Sequence, residues 1–183
     1  MKKKTVIAAV LLTVGVIIFS LYTAHKSAES GAGNYGGDLW EDDIYSLAEG
    51  LCAGCDTDRE KAVRIYHWVI ENIEYDYELE VQYKYFDASK TLSTRKGVCF
   101  DMANLYAVLC RSQGVRCYTL DGYRRESTDE LHTWNRVFYD DAWWNLDTSV
   151  DSGRLRKGKS LYGFHRVSSR DYPDEEYEII RIY

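Results

Sequence analysis

Proline is almost absent from this chain: one residue in 183, Pro173. No Pro-rich linker can be built from that. No segment repeats either, which removes solenoids and tandem arrays. A basic surplus is missing as well. Lys and Arg number 23 against 29 Asp and Glu, for a formal net charge of −6, and without Lys2, Lys3 and Lys4 the remainder stands at −9. So acidic a chain is unsuited to nucleic acid or to electrostatic docking on an anionic lipid surface. Finally, no second C-x-x-C follows Cys52-Ala-Gly-Cys55. A structural zinc site needs four ligands, and a thioredoxin-like site wants a preceding strand where this chain has a helical pattern. A local disulfide or two helix-end thiols remain for that pair.

What is present is apolar and aromatic: 45% hydrophobic residues, 16 Tyr and 5 Trp. The length suits one domain with a short appendage. Residues 5–24, TVIAAVLLTVGVIIFSLYTA, carry no charge and follow three lysines. Twenty helical residues rise about 30 Å, the thickness of a bilayer's hydrocarbon core. Positive flanks stay cytoplasmic, so the chain after residue 24 is expected outside. The alternative is a cleaved signal peptide and secretion. The run is longer than a usual signal core, and no clean small-x-small site follows it, which favours an uncleaved signal anchor. A buried core helix fits less well, because the run has no polar face. Residues 25–38, HKSAESGAGNYGGD, read as a flexible tether, leaving 39–183 as the folded domain.

Within 39–183 the spacing of Ile44, Leu47, Ala48 and Leu51 predicts a helix over 41–51. Thr57-Asp58-Arg59-Glu60 has the capping-box form and opens a second helix, striped by Ala62, Ile65, Tyr66, Val69 and Ile73. Residues 74–96 read mostly as loop. A third helix is expected over 99–112, from Met102, Leu105, Tyr106 and Leu109, with Gly114 closing it in a left-handed cap. Three strands follow, at 115–123, 131–139 and 142–150, with a tight turn at Tyr139-Asp140-Asp141-Ala142. Weaker strands fall near 161–168 and 177–183. Helices followed by an antiparallel sheet make an α+β domain.

Five cysteines stand at 52, 55, 99, 110 and 117, so at least one thiol is unpaired within a monomer. Cys110 and Cys117 read as packing residues, with a bridge between them open. Cys99 is different, because it opens a helix just after Gly97. Free backbone N–H groups and the helix dipole there favour negative charge, and the thiolate is the nucleophilic form of cysteine. A thiol nucleophile wants a base, and the base an orienting group. If the turn centres between Asp140 and Asp141, His132 stands opposite Ser149. Asp147 then lies on the same face as a diagonal neighbour, about 7–8 Å away between Cβ atoms. With another turn, Asp141 or Asp151 would take its place. His67 reads as a surface residue, His165 has no evident partner, and Trp134, Trp143 and Trp144 read mainly as packing.

The strings KGVCFDMANLYAVLCRSQGVRCYTLDGY, HTWNRV and WWNLDTS, in that order, resemble the transglutaminase-like superfamily over roughly residues 57–150. The resemblance implies a papain-like fold with a catalytic triad of Cys99, His132 and Asp147. It requires no cofactor and no metal. Animal cross-linking members usually have Gln before the cysteine and Trp after it; this chain has Val98 and Phe100, and lacks their flanking β-domains and an evident calcium site. Asp101 instead matches compact bacterial members. The implied chemistry is attack on an amide carbonyl and a thioester acyl-enzyme, with the Cys99 N–H as one oxyanion donor. The second donor is open among Tyr75, Tyr77 or a tryptophan. A peptidase or amidase acting on protein or peptide substrate is favoured. The alternatives are a transamidase joining glutamine to an amine, and a binding module that keeps the fold without turnover. The oligomeric state is not legible.

Overall fold

A computed structural model describes residues 41–78, 87–167 and 173–183. The expected signal anchor at 5–24 and tether at 25–38 lie outside the described residues. Among the described residues no helix is long and apolar enough to cross a membrane. All of them belong to one compact unit, Gly36–Tyr183.

The first two helices are α1 (Glu41–Cys52) and α2 (Asp58–Asn72). The capping box of α2 forms as its sequence demands. Thr57 Oγ1 accepts the Glu60 N–H at 3.2 Å, while Glu60 Oε2 accepts the Thr57 and Asp56 N–H groups. Its apolar stripe is fully buried and gains Ile70. The stretch read as loop proves more ordered. It holds β1 (Glu74–Tyr75), α3 (Ala88–Thr94) and β2 (Lys96–Gly97). Helix α3 has only seven residues and buries only Ala88 and Thr91, so it shows no apolar period. What starts it is Asp87, whose carboxylate accepts the Ser89 and Lys90 N–H groups at 3.1 and 3.0 Å.

Helix α4 (Cys99–Ser112) matches expectation at both ends, and Gly114 follows it at φ +76°. Its apolar face (Met102, Leu105, Tyr106, Leu109) packs with α1, α2, Val137 and Leu146 as the core. Strands β3 (Cys117–Arg124), β4 (Ser127–Tyr139), β5 (Ala142–Leu146), β6 (His165–Arg166) and β7 (Tyr177–Ile182) form one antiparallel sheet in the order β6-β5-β4-β3-β7. The β4–β5 register runs from Tyr139 opposite Ala142, with Asp140 and Asp141 both left-handed at φ 49° and 54°. That is the two-residue turn that matches strand twist.

One expectation fails instructively. The third strand, read as 142–150, stops at Leu146, and α5 (Thr148–Arg156) begins there. Helix α5 buries Thr148, Ser149, Asp151 and Ser152, a polar face that hydrophobic periodicity cannot detect. Asp147 is its N-cap.

Candidate active site

The site starts from a short parallel pairing. Strand β1 lies beside β2 with Tyr75 opposite Gly97. The Glu74 N–H donates to Arg95 O at 2.9 Å and the Asp76 N–H to Gly97 O at 3.0 Å. Gly97 has no substitute here: a Cβ would lie 2.6 Å from Asp101 Cβ and 3.2 Å from Thr91 Cγ2. Asp101 closes the first turn of α4 by accepting the Val98 N–H at 3.0 Å. Burial pushes its carboxyl above the usual range, against the pull of that N–H and of Lys90. Cys99, half-buried, is thereby fixed as the first residue of the helix.

The sheet is tied to this helix by a polar contact inside the core. Asn135 Nδ2 donates to Ala103 O at 2.9 Å, one helical turn past Cys99. Three residues before Asn135 on β4 is His132. Its Nε2 lies 2.5 Å from Asp147 Oδ2, with the two side chains 13% and 1% exposed. The same imidazole lies within electrostatic reach of the Cys99 side chain. With Nε2 given to Asp147, Nδ1 is the nitrogen left for the sulfur. Burial opposes a charge on this ring, but the Asp147 carboxylate and the Cys99 sulfur outweigh it and raise His132 to about 10. Burial likewise opposes charge on Asp147, yet the imidazolium, the Val150 N–H and the Ser149 hydroxyl hold it below the usual carboxylate value.

Asp147 divides its two oxygens between two tasks. Oδ1 accepts the Val150 N–H at 2.9 Å and the Ser149 hydroxyl at 2.8 Å, capping α5, while Oδ2 faces His132. The helix cap therefore fixes the carboxylate that orients the histidine. Behind the imidazole lies Trp134, fully buried and near-parallel at 6.2 Å between ring centroids. Tyr177 of β7 packs on the imidazole at 4.9 Å. Nothing in the sequence pattern links Tyr177 to His132, since the pairing of β7 with β3 brings it there.

The other candidates fall elsewhere. Asp141 sits in the β4–β5 turn. Asp151 accepts the Tyr66 hydroxyl at 2.6 Å and the Tyr162 and Gly163 N–H groups at 2.8 and 2.9 Å, so it anchors the 161–164 segment. His67 is half-exposed beside Glu71, and His165 lies on β6 near Tyr162. Trp143 and Trp144 stack on Tyr118 and Tyr139. All five cysteines are thiols, and burial pushes those of Cys52 and Cys110 up. A hollow of about 710 Å³ between α1 and α3 holds none of the three site residues.

A family model for the transglutaminase-like superfamily fits this chain. It matches residues 45–148. The chain belongs to that superfamily. Kyphoscoliosis peptidase of Mus musculus is 30% identical over 132 residues, covering 66% of this chain and 20% of that protein. The Homo sapiens protein of the same name is 28% identical over 155 residues, covering 79% of this chain and 22% of that protein. The chain thus spans about a fifth of the length of these relatives. Two solved bacterial structures share the superfamily fold. A candidate cysteine protease from Cytophaga hutchinsonii superposes with a TM-score of 0.50 at 22% identity, over 78% of this chain and 49% of that one. A candidate protease from Parabacteroides distasonis superposes with a TM-score of 0.52 at 16% identity, over 58% and 23%.

Proposed function

We propose that this member of the superfamily is a thiol enzyme that cleaves amide bonds of proteins or peptides, with Cys99 as nucleophile, His132 as base and Asp147 as its orienting group. The observation that carries this is the imidazole bound to the Asp147 carboxylate at 2.5 Å, with the Cys99 side chain within its electrostatic reach. His132 donates its Nε2 proton to Asp147 and turns Nδ1 to the thiol, and its raised proton affinity favours taking the thiol proton there. The thiolate attacks the carbonyl carbon and the carbonyl electron pair moves to oxygen. Collapse re-forms the carbonyl and expels the amine, which takes its proton from His132, leaving a thioester on Cys99. Water activated by His132 then releases the acid. The names of the mammalian relatives favour peptide cleavage. An amine in place of water would give transamidation, but hydrolysis needs no second substrate site.

The charge-free run behind three lysines supports an enzyme anchored by residues 5–24 with its domain outside the cytoplasm. The test uses the full chain. Cys99 is alkylated with iodoacetamide from pH 5 to 9 and compared with His132→Ala. Fast alkylation at pH 6 that falls at least tenfold in the variant is the expected result; equal rates would sink the thiol-enzyme reading. Casein with a labelled amine then separates the outcomes. New peptide ends mean hydrolysis, and incorporated label means transfer.

A further inference from the structure

The corner Cys52-Ala53-Gly54-Cys55 joins α1 to α2 and takes no part in the chemistry above. The Cys55 N–H donates to Cys52 O at 2.9 Å, and Gly54 turns the chain back in left-handed backbone at φ +72°. A four-residue turn of this kind keeps its end Cα atoms within about 7 Å, the separation beyond which a disulfide cannot close. Both side chains meet the same core: Cys52 belongs to it and Cys55 packs against it. The corner is also held from α2. Arg64 Nη1 donates to Ala53 O at 3.0 Å and to Leu51 O at 3.4 Å. Directly after Cys55, the Asp56 N–H donates to Glu60 Oε2 at 2.8 Å. Of the five cysteines, only Cys55 and Cys99 are not buried.

We propose that Cys52 and Cys55 are an oxidation site: in the folded chain they close into a disulfide when a small-molecule or protein disulfide supplies the oxidant. The proposal is independent of the thiol-enzyme reading. The partly exposed Cys55 sulfur, as thiolate, attacks one sulfur of the oxidant. That S–S bond breaks, and one thiolate leaves and takes a proton. Cys52 then loses its own proton and its sulfur attacks Cys55 Sγ in the mixed disulfide, expelling the second thiolate. Two electrons and two protons pass from the pair to the oxidant, which ends as two thiols. The fold favours the product for two reasons. Its backbone already stands in the bridging turn, so closing the ring costs less chain entropy than in the unfolded chain. Burial, and then Cys55, raise the Cys52 thiol, so the reduced pair lacks the stabilised thiolate that makes a disulfide easy to reduce. Closure also removes the partly exposed thiol that competes with Cys99, leaving Cys99 as the accessible sulfur.

The test equilibrates the full chain in buffers of reduced and oxidised glutathione, once folded and once in urea. Free thiols are then blocked with iodoacetamide and the chain is cut with trypsin. Cleavage after Lys26 and Arg59 leaves both cysteines on one peptide with no Lys or Arg between them. The bridged peptide is lighter than the dithiol by two hydrogens and carries no alkyl group. The glutathione ratio at half-bridging gives the equilibrium constant in each state. By linkage, the factor by which folding favours the bridge equals the factor by which the bridge favours folding. That factor should be about tenfold or more for a ring this small. A constant that is equal or lower in the folded chain overturns the proposal. So does folded protein that holds glutathione on Cys55 without closing, or that joins Cys52 to Cys110 or Cys117. In Cys52→Ser the glutathione should stay on Cys55, because the sulfur that expels it is gone; an unmodified Cys55 there overturns the order of attack.

Discussion

Asp147→Asn is the most informative single perturbation, because Asp147 uses its oxygens for different purposes. Oδ1 already receives two donors, the Val150 N–H and the Ser149 hydroxyl. An asparagine here keeps its carbonyl on those donors and turns its NH₂ toward His132. The cap survives, the charge is lost, and the imidazole must accept at Nε2, which moves its own proton to Nδ1, the nitrogen that has to act as base. Activity toward p-nitrophenyl acetate should fall about 10²- to 10⁴-fold. The stability effect follows from linkage. His132 is raised from 6.5 to about 10, so its contribution is complete below the unfolded value and disappears as pH rises through the folded one. At 1.36 kcal/mol per unit, 3.5 units set an upper bound of about 5 kcal/mol for the pair. The depressed Asp147 value describes the same contact and is not added. It adds an acid limb, present above the usual carboxylate value and lost as pH falls through the depressed one. Urea unfolding under reducing conditions should show Asp147→Asn weaker by about 3–5 kcal/mol at pH 5.5, the range for removing one partner of a buried pair. The gap should close by pH 10. A gap of the same size at both pH values would refute the ion pair, and a wild-type acylation rate would refute the tautomer argument.

Two other perturbations test the scaffold around the site. Gly97→Ala forces a Cβ to 2.6 Å from Asp101 Cβ, so urea unfolding should show a loss of about 1–3 kcal/mol and Cys99 alkylation should slow; a neutral result would mean that the β1–β2 pairing does not position the cysteine. Arg156 donates to Ile70 O, Ile73 O and Ser152 O, binding α5 to the end of α2. Arg156→Ala should therefore cost about 2 kcal/mol, and Arg156→Lys should recover only part of it, because an ammonium cannot fork to several carbonyls; equal Tm values for the two variants would contradict that.

The sequence determined a good deal by local chemistry. The α2 box needs only Thr57 and Glu60, three residues apart, and the α4 stripe and Gly114 cap are equally local. The β4–β5 register followed from one turn and sets Asp147 near His132, but the pairing of His132 with Ser149 expected of a longer strand does not form, because Ser149 lies in α5 and the helix cap holds Asp147. Elements that bury polar or few side chains were not legible. Helix α3 and helix α5 have caps but no apolar period, so the sequence pattern gives loop for one and, for the other, strand over its first three residues and nothing beyond.

Tertiary structure alone decided how these pieces meet. Asn135 on Ala103 O joins the sheet to the cysteine helix, and a polar side chain in a strand announces no partner 32 residues away. Tyr177 reaches His132 only because β7 pairs with β3, and Tyr75 stands opposite Gly97 only through a two-residue parallel strand. Side-chain chemistry and short-range spacing are written along the chain. Contacts between distant segments depend on how the whole core packs, and no single stretch of sequence carries that sum.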